Sequence, residues 1–178
     1  MTESTLICYG TRYGSTGEIA ERIAEILKGK GVSVDVVNLK KEKVEDLISY
    51  DLIVVGSGIQ ANRWTKEPKK FLKKNKEALS EKRVAIFVSC GSASEPEKCD
   101  EAREKYLLQV AREYPEINFV SMGLFGPRYD STQGNFFTKK IMKGILEELA
   151  ENPENPPDMI DLRDWTEIEK WAVSLIDK

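Results

Sequence analysis

Residues 6 to 27 read LICYGTRYGSTGEIAERIAEIL. Leu6, Ile7 and Cys8 form a short apolar run bounded by turn residues, the spelling of a strand covered on both faces. Ile19, Ile23, Ile26 and Leu27 recur at helical spacing, Ser15 or Thr16 stands where a hydroxyl caps a helix, and Glu18 falls in the first turn. Strand, loop and helix therefore follow one another. The leading N–H groups of the helix point back into a loop rich in Gly, Ser and Thr, and such donors want an anion.

Three phosphate-loop types compete for that position. A P-loop needs a lysine, and Gly10 to Gly17 contains none, which removes the charge carrier of nucleotide triphosphate hydrolysis. A dinucleotide fingerprint needs Gly-x-Gly-x-x-Gly, and glycines at 10, 14 and 17 are set too widely at the start. What remains is Thr11-x-x-Gly14-x-Thr16, whose hydroxyls and backbone N–H groups suit one terminal phosphate without a metal, or else a plain hydroxyl-rich turn that caps a helix. One phosphate points to a mononucleotide.

A chain of 178 residues suits one domain with a substantial core, spanning residues 1–178. Its net charge of −3 provides no global basic field and argues against nucleic acid as a partner. No apolar run approaches the roughly 20 residues that span a bilayer and no signal-peptide pattern is present, so no integral membrane segment and a cytoplasmic location are expected. Cys8, Cys90 and Cys99 cannot all pair, and none has a Cys-x-x-Cys neighbour, so they read as free thiols, Cys90 included. There is no histidine, which removes Ser-His and Cys-His nucleophiles, histidine metal sites and the commonest general base together. Chemistry then comes most economically from a cofactor.

Further apolar runs at Val32–Val37, Leu52–Gly56, Val84–Cys90 and Phe119–Leu124 alternate with helical periodicity at Ser15–Lys28, Lys66–Leu79, Glu97–Tyr114 and Trp165–Ile176. A short crossover helix is expected within Lys40–Tyr50. The alternation predicts an α/β doubly wound, five-stranded parallel sheet with helices on both faces. After the fifth strand the rhythm breaks at Gly126-Pro127. An amphipathic helix, Phe136–Leu149, and the linker ENPENPPD follow, and Met159–Leu162 is expected to return to the sheet. Residues 125–158 thus read as an insertion beside strand five, and long insertions in compact domains are functional or mobile.

In such a sheet the ligand lies at the carboxyl ends of the strands where strand order reverses. Three loops emerge there: Gly10–Thr16 after strand one, SGIQANRWT (Ser57–Thr65) after strand three, and CGSASE (Cys90–Glu95) after strand four. The first suits phosphate, the second carries Trp64, and the third offers small residues and free backbone groups. Together they suit a flat, phosphorylated heterocycle.

GTRYGSTGEIA, GSGIQANRW and SCGSASE, in this order, resemble a flavodoxin. GPRYDSTQGNFFTKKIMKGI and IDLRDWTEIEKWA are similar to the flavodoxin-like family that includes the menaquinone-dependent protoporphyrinogen IX dehydrogenases. The resemblance covers essentially the whole chain and implies strand order 2-1-3-4-5 and FMN as cofactor. It implies that the phosphate binds at Thr11, Arg12, Tyr13, Gly14, Ser15 and Thr16. The ring would lie between Ser57, Gly58, Ile59, Gln60, Ala61, Asn62, Arg63 and Trp64 on one side and Cys90, Gly91, Ser92 and Ala93 on the other. The chain departs from the pattern in three places. Arg12 replaces a common hydroxyl residue, Asn62-Arg63-Trp64 replaces a histidine or tyrosine often found in the dehydrogenase branch, and the third loop lacks the aromatic that flanks the ring in many flavodoxins.

Trp64 reads as a flavin contact or as helix packing. The lysine run Lys66–Lys76 reads as a solvated helix face or as a surface that steers an acidic redox partner. The apolar stripe of Phe136–Leu149 is expected to pack on the domain or on a second subunit, as in a homodimer, ahead of a membrane or a quinone. A response regulator is excluded, because Tyr9-Gly10-Thr11 and Gly56-Ser57-Gly58 stand where its aspartates would be. No residue reads as a general acid or base beside the ring. The expectation is therefore a low-potential electron carrier between redox proteins, such as a ferredoxin and a flavin or ferredoxin reductase. The alternative is a quinone-dependent protoporphyrinogen IX dehydrogenase or another FMN-dependent oxidoreductase.

Overall fold

The computed structural model describes residues 3–177. Strands β1 (Ser4–Gly10), β2 (Ser33–Asn38), β3 (Leu52–Gln60), β5 (Arg83–Ser89) and β6 (Phe119–Phe125) form a parallel sheet in the order β2-β1-β3-β5-β6. A short β4 (Arg63–Trp64) folds back antiparallel on the end of β3. Counted without β4, the parallel strands stand in the expected order 2-1-3-4-5.

Each strand divides its side chains between two layers, as a period of two requires. Leu6 and Cys8 of β1, Ile53 and Val55 of β3, and Val84, Ile86 and Val88 of β5 bury against Phe71, Leu72 and Leu79 of α2 (Lys66–Ser80). Ala102 of α3 (Cys99–Arg103) and Val110 of α4 (Gln109–Glu113) complete that layer, joined through a π-helical turn, Glu104–Leu108, that carries Leu107. Ile7, Val54 and Phe87 face the other way. They meet Ile19, Ile23 and Leu27 of α1 (Ser15–Gly29) and Ile168 and Ala172 of α6 (Trp165–Ser174). Each fully buried Ile or Leu contributes about 1.5–3 kcal/mol relative to exposure, so the spacing of the α1 stripe is what holds that helix, and the loop before it, on the sheet. Gly56 is required here: a Cβ on it would stand 2.3 Å from the Phe87 ring.

Two expectations about elements are corrected. Lys40–Tyr50 is not helical. Asn38 Oδ1 accepts the Lys40 N–H and Asp46 Oδ1 accepts the Ile48 N–H at 2.7 Å, so side chains close turns where a helix would need those donors. Met159–Leu162 does not rejoin the parallel sheet. β8 (Met159–Asp161) instead pairs antiparallel with β7 (Arg128–Asp130), with Tyr129 opposite Ile160. This ribbon brackets α5 (Phe136–Leu149) and returns the insertion to the carboxyl edge of the sheet.

Candidate functional site

A cleft of about 430 Å³ opens at the carboxyl ends of β1, β3 and β5, within the size range of small-molecule sites. Its floor is the loop after β1. Gly14 is the N-cap of α1 in a left-handed conformation, φ 96°, and no side chain caps the helix. The N–H groups of Ser15, Thr16 and Gly17 accordingly have no acceptor within the helix. Thr11 Oγ1 accepts the Gly14 N–H at 3.0 Å, which leaves its own proton to donate. Thr16 is 2% exposed, and its Oγ1 lies 3.1 Å from where a Cβ on Gly58 would stand, so these two loops meet only because residue 58 has no side chain. Ser15 Oγ accepts the Arg128 N–H at 3.0 Å and lies 3.4 Å from Ser89 Oγ, joining the floor to the insertion.

Arg12 lines one side of the cleft. Its guanidinium donates to Gln60 Oε1 at 2.6 Å and lies over the Tyr13 ring, 5.8 Å from the centroid, while Gln60 Nε2 approaches the Tyr13 hydroxyl at 3.4 Å. Gly58, Ile59, Gln60 and Ala61 form one wall. Ala61 and Asn62 both have positive φ, 47° and 60°, and turn β3 into β4. Ala61 holds a conformation that costs a non-glycine residue about 1–2 kcal/mol. Asn62 Oδ1 accepts the Tyr106 hydroxyl at 2.9 Å, which helps to fix the turn.

Several expected residues stand elsewhere. Trp64 is 8% exposed and its indole N–H donates to the Tyr106 carbonyl at 2.7 Å. It belongs to the core beside Tyr106 and is not an aromatic plate on the cleft. Ser57 is buried, and its hydroxyl and the Thr65 backbone and side chain bond one another at 3.0 Å. Arg63 is exposed outside this cleft. Of the third loop, Cys90 and Gly91 line the cleft, whereas Ser92 lines a small separate hollow with Asn62, and Ala93 packs on the core.

The insertion completes the site. Pro127, Arg128 and Tyr129 line the cleft, as do Ile141, Met142 and Ile145 of α5. A Cβ on Gly91 would stand 2.9 Å from the Tyr129 hydroxyl, so the third loop gains from β7 the aromatic neighbour that its own sequence lacks. The amphipathic spacing of 136–149 points to packing on the domain or on a second subunit; Met142 and Leu146 are buried on the domain, whereas Phe136, Phe137, Ile141 and Leu149 are exposed. That one edge of the stripe borders the ligand cleft follows only from the return of β7–β8.

Charge holds this addition in place. Glu18, in the first turn of α1, accepts from Arg128 and from Arg163, each at 2.6 Å. Arg128 also pairs with Asp130, and Arg163, whose side chain is 3% exposed, grips Asp161 at 2.8 and 2.6 Å. Hydrogen bonding to Arg163 holds the Asp161 carboxyl below its usual range, and Thr132, followed by Arg128, does the same for Asp130. Burial pushes the Cys90 thiol up to about 11 and also raises the Tyr129 hydroxyl, so neither exchanges a proton readily near neutral pH.

A doubly wound parallel sheet in the order 2-1-3-4-5, with a cleft at its carboxyl edge above an uncapped helix N-terminus, is a flavodoxin-like fold. Residues 6–157 match the family model of the flavodoxin domain, and the chain belongs to that family. It is 27% identical over 172 residues to the protoporphyrinogen IX dehydrogenase (quinone) of Escherichia coli (strain K12), covering 94% of this chain and 92% of that one. Among solved structures it resembles oxidised Flavodoxin 2 from Bacillus cereus, with a TM-score of 0.55, 20% identity and 97% of each chain covered. It also resembles a flavoprotein in complex with FMN from Lactobacillus acidophilus NCFM, with a TM-score of 0.50, 18% identity, and 69% of this chain and 93% of that one covered. At these identities the structural likenesses establish the fold.

Family membership points to a flavin, and the residues present fit one. The cleft lining contains hydroxyls and helix N–H donors but no carboxylate, which suits a phosphate. Its walls, Ile59, Tyr129 and Met142, are apolar or aromatic, which suits a flat ring. Among the described residues no group of His, Cys, Asp and Glu could hold a metal, and no helix is long and apolar enough to cross a membrane.

Proposed function

We propose that residues 1–178 act as one flavodoxin-like domain that holds FMN and carries electrons between redox proteins. The observation that supports this most is the cleft lining itself: phosphate donors at one end, flat walls at the other, and no side chain poised to give or take a proton. Its ionisable members are Arg12, Tyr13, Cys90, Arg128 and Tyr129. None is a carboxylate, and burial keeps Cys90 and Tyr129 protonated. FMN, when bound, supplies the electron exchange. The chain's own part is to hold the phosphate with Thr11, Thr16 and the α1 N-terminus, to set the ring between Gly58–Ala61 and Gly91–Tyr129, and to keep water from its covered side with Met142.

Docking in this reading falls to α2. Lys69 and Lys76 pair with Glu113 and Glu116, whereas Lys70, Lys73 and Lys74 have no ion pair among the described residues and suit an acidic partner. A ferredoxin, or a flavin or ferredoxin reductase, has the right chemistry. Three thiols without a disulfide suit a reducing compartment, so a cytoplasmic location belongs to the same proposal.

A second reading, a quinone-dependent protoporphyrinogen IX dehydrogenase, draws support from the E. coli relative, whose similarity extends across nearly the whole chain, and from α5 over the cleft mouth. Stopped-flow reduction separates the two. A carrier is reduced rapidly by a protein donor, at a rate that falls as salt screens α2. Turnover of protoporphyrinogen with a quinone, and no salt-sensitive reduction by any protein donor, would overturn the carrier reading.

A further inference from the structure

Beside the flavin-type cleft lies a second one of about 540 Å³, between the loop after β1, the start of α2 and the start of α5. Arg12, Lys40, Arg63 and Lys66 all line it, and none of the four makes an ion pair among the described residues. Glu67, at the same rim, leaves a clear positive excess. The N-terminus of α2 adds to it, because Thr65 makes no side-chain cap bond. Like charges gathered without counter-charges repel one another, and that cost is relieved when an anion enters.

The walls are not those of a simple ion site. Tyr13 and Phe137 line the cleft, and Phe137 is 75% exposed, held only edge-on against Phe136 at 6.1 Å between centroids. An aromatic left in water across from a cationic rim offers a face to an apolar body whose charged end meets the arginines and lysines. Arg12, bonded to Gln60 at 2.6 Å, forms with it part of the partition between the two clefts, which also share Thr11, Tyr13, Thr65 and Ile141.

We infer that this second cleft binds a small anion, a carboxylate or phosphate carried on an aromatic body, adjacent to the flavin-type cleft. Lys40, Arg63, Lys66 and Phe137 line this cleft and not the flavin-type one, so variants at these positions report on the second cleft apart from the FMN assignment. Isothermal titration of the protein as purified, with 2-naphthoate, 2-naphthyl phosphate and the uncharged 2-naphthalenemethanol, tests it. The expected result is at least tenfold tighter binding of one or both anions than of the alcohol, and the tighter anion identifies the headgroup. In Arg63→Gln and in Lys40→Gln that preference falls at least threefold, while in Phe137→Ala all three probes weaken and the preference persists. These are exposed side chains, and unchanged thermal unfolding shows that each variant is folded. Equal affinity for acid, phosphate and alcohol, no binding of any at millimolar concentration, or a preference unmoved by both charge variants would overturn the inference. A protein without flavin that still prefers the anions would refute the FMN reading alone.

Discussion

Thr16 is the hydroxyl with the least freedom in the cleft, buried at the head of α1 and pressed toward Gly58. A charge-assisted hydrogen bond left unmade costs about 1–3 kcal/mol. Thr16→Ala is therefore expected to weaken FMN by that amount and to leave riboflavin, which has no phosphate, almost unaffected; equal losses would show a loosened fold instead. Tyr129 should behave in the opposite way. It faces Gly91 at the ring end, so Tyr129→Leu is expected to weaken FMN and riboflavin alike by about 1 kcal/mol, the extra worth of an aromatic contact. Fluorescence titration of both flavins reads the two variants, and a Tyr129→Leu protein with unchanged affinity for both would remove the ring from that wall. The sequence places Thr16 at the head of α1 but leaves its hydroxyl either to a phosphate or to a helix cap; the structure shows no side-chain cap there. The sequence does not make Tyr129 legible, because the residue lies 38 positions beyond Gly91 and only ribbon pairing brings it back. Trp64 misled for a related reason. A tryptophan after a strand-end loop looks exposed until Ala61 and Asn62 reverse the chain and bury it under Tyr106.

At the scale of elements, α1 and the sheet could be read from spacing alone, since Ile19, Ile23 and Leu27 at helical intervals and the alternating strand residues admit one packing. The segment 40–50 could not, because Asp46 and Asn38 compete with helix formation through bonds that periodicity does not register. The β7–β8 ribbon was illegible for another reason: its anchors are charges distant in sequence, Glu18 with Arg128 and Arg163. Those anchors predict a pH dependence. Asp161 and Asp130 are held below their usual range in the folded protein. Their contribution is complete above the ordinary carboxylate value of about 4 and is lost as pH falls through the lowered folded-state values. Hydrogen exchange is expected to show β7 and β8 opening in acid while β1, β3 and β5 stay protected. Trp165, over which the Arg163 guanidinium lies at 4.4 Å, provides a fluorescence signal for the same event. Arg163→Met should flatten the acid response of Trp165. A ribbon that opens together with the central strands would contradict this account.

For the whole molecule, the fold places every element of the account at one edge. The uncapped N-terminus of α1, the turn strained at Ala61, the ribbon that delivers Tyr129 and the cleft-facing side of α5 converge where strand order reverses between β1 and β3. Of the α2 lysines Lys66 lines a cleft at that edge, while Lys70 and Lys74 line a separate hollow further along the helix; on a chain whose net charge is −3, attraction of an acidic partner would be a local field that salt removes. All of this depends on what fills the cleft at the head of α1. The most direct test is to purify the protein, record its visible spectrum, denature it and identify the released cofactor by chromatography. The expected result is a yellow protein that releases FMN, one per chain, and whose flavin-free form takes up added FMN. Release of FAD, or a colourless protein that fails to bind FMN, would contradict it.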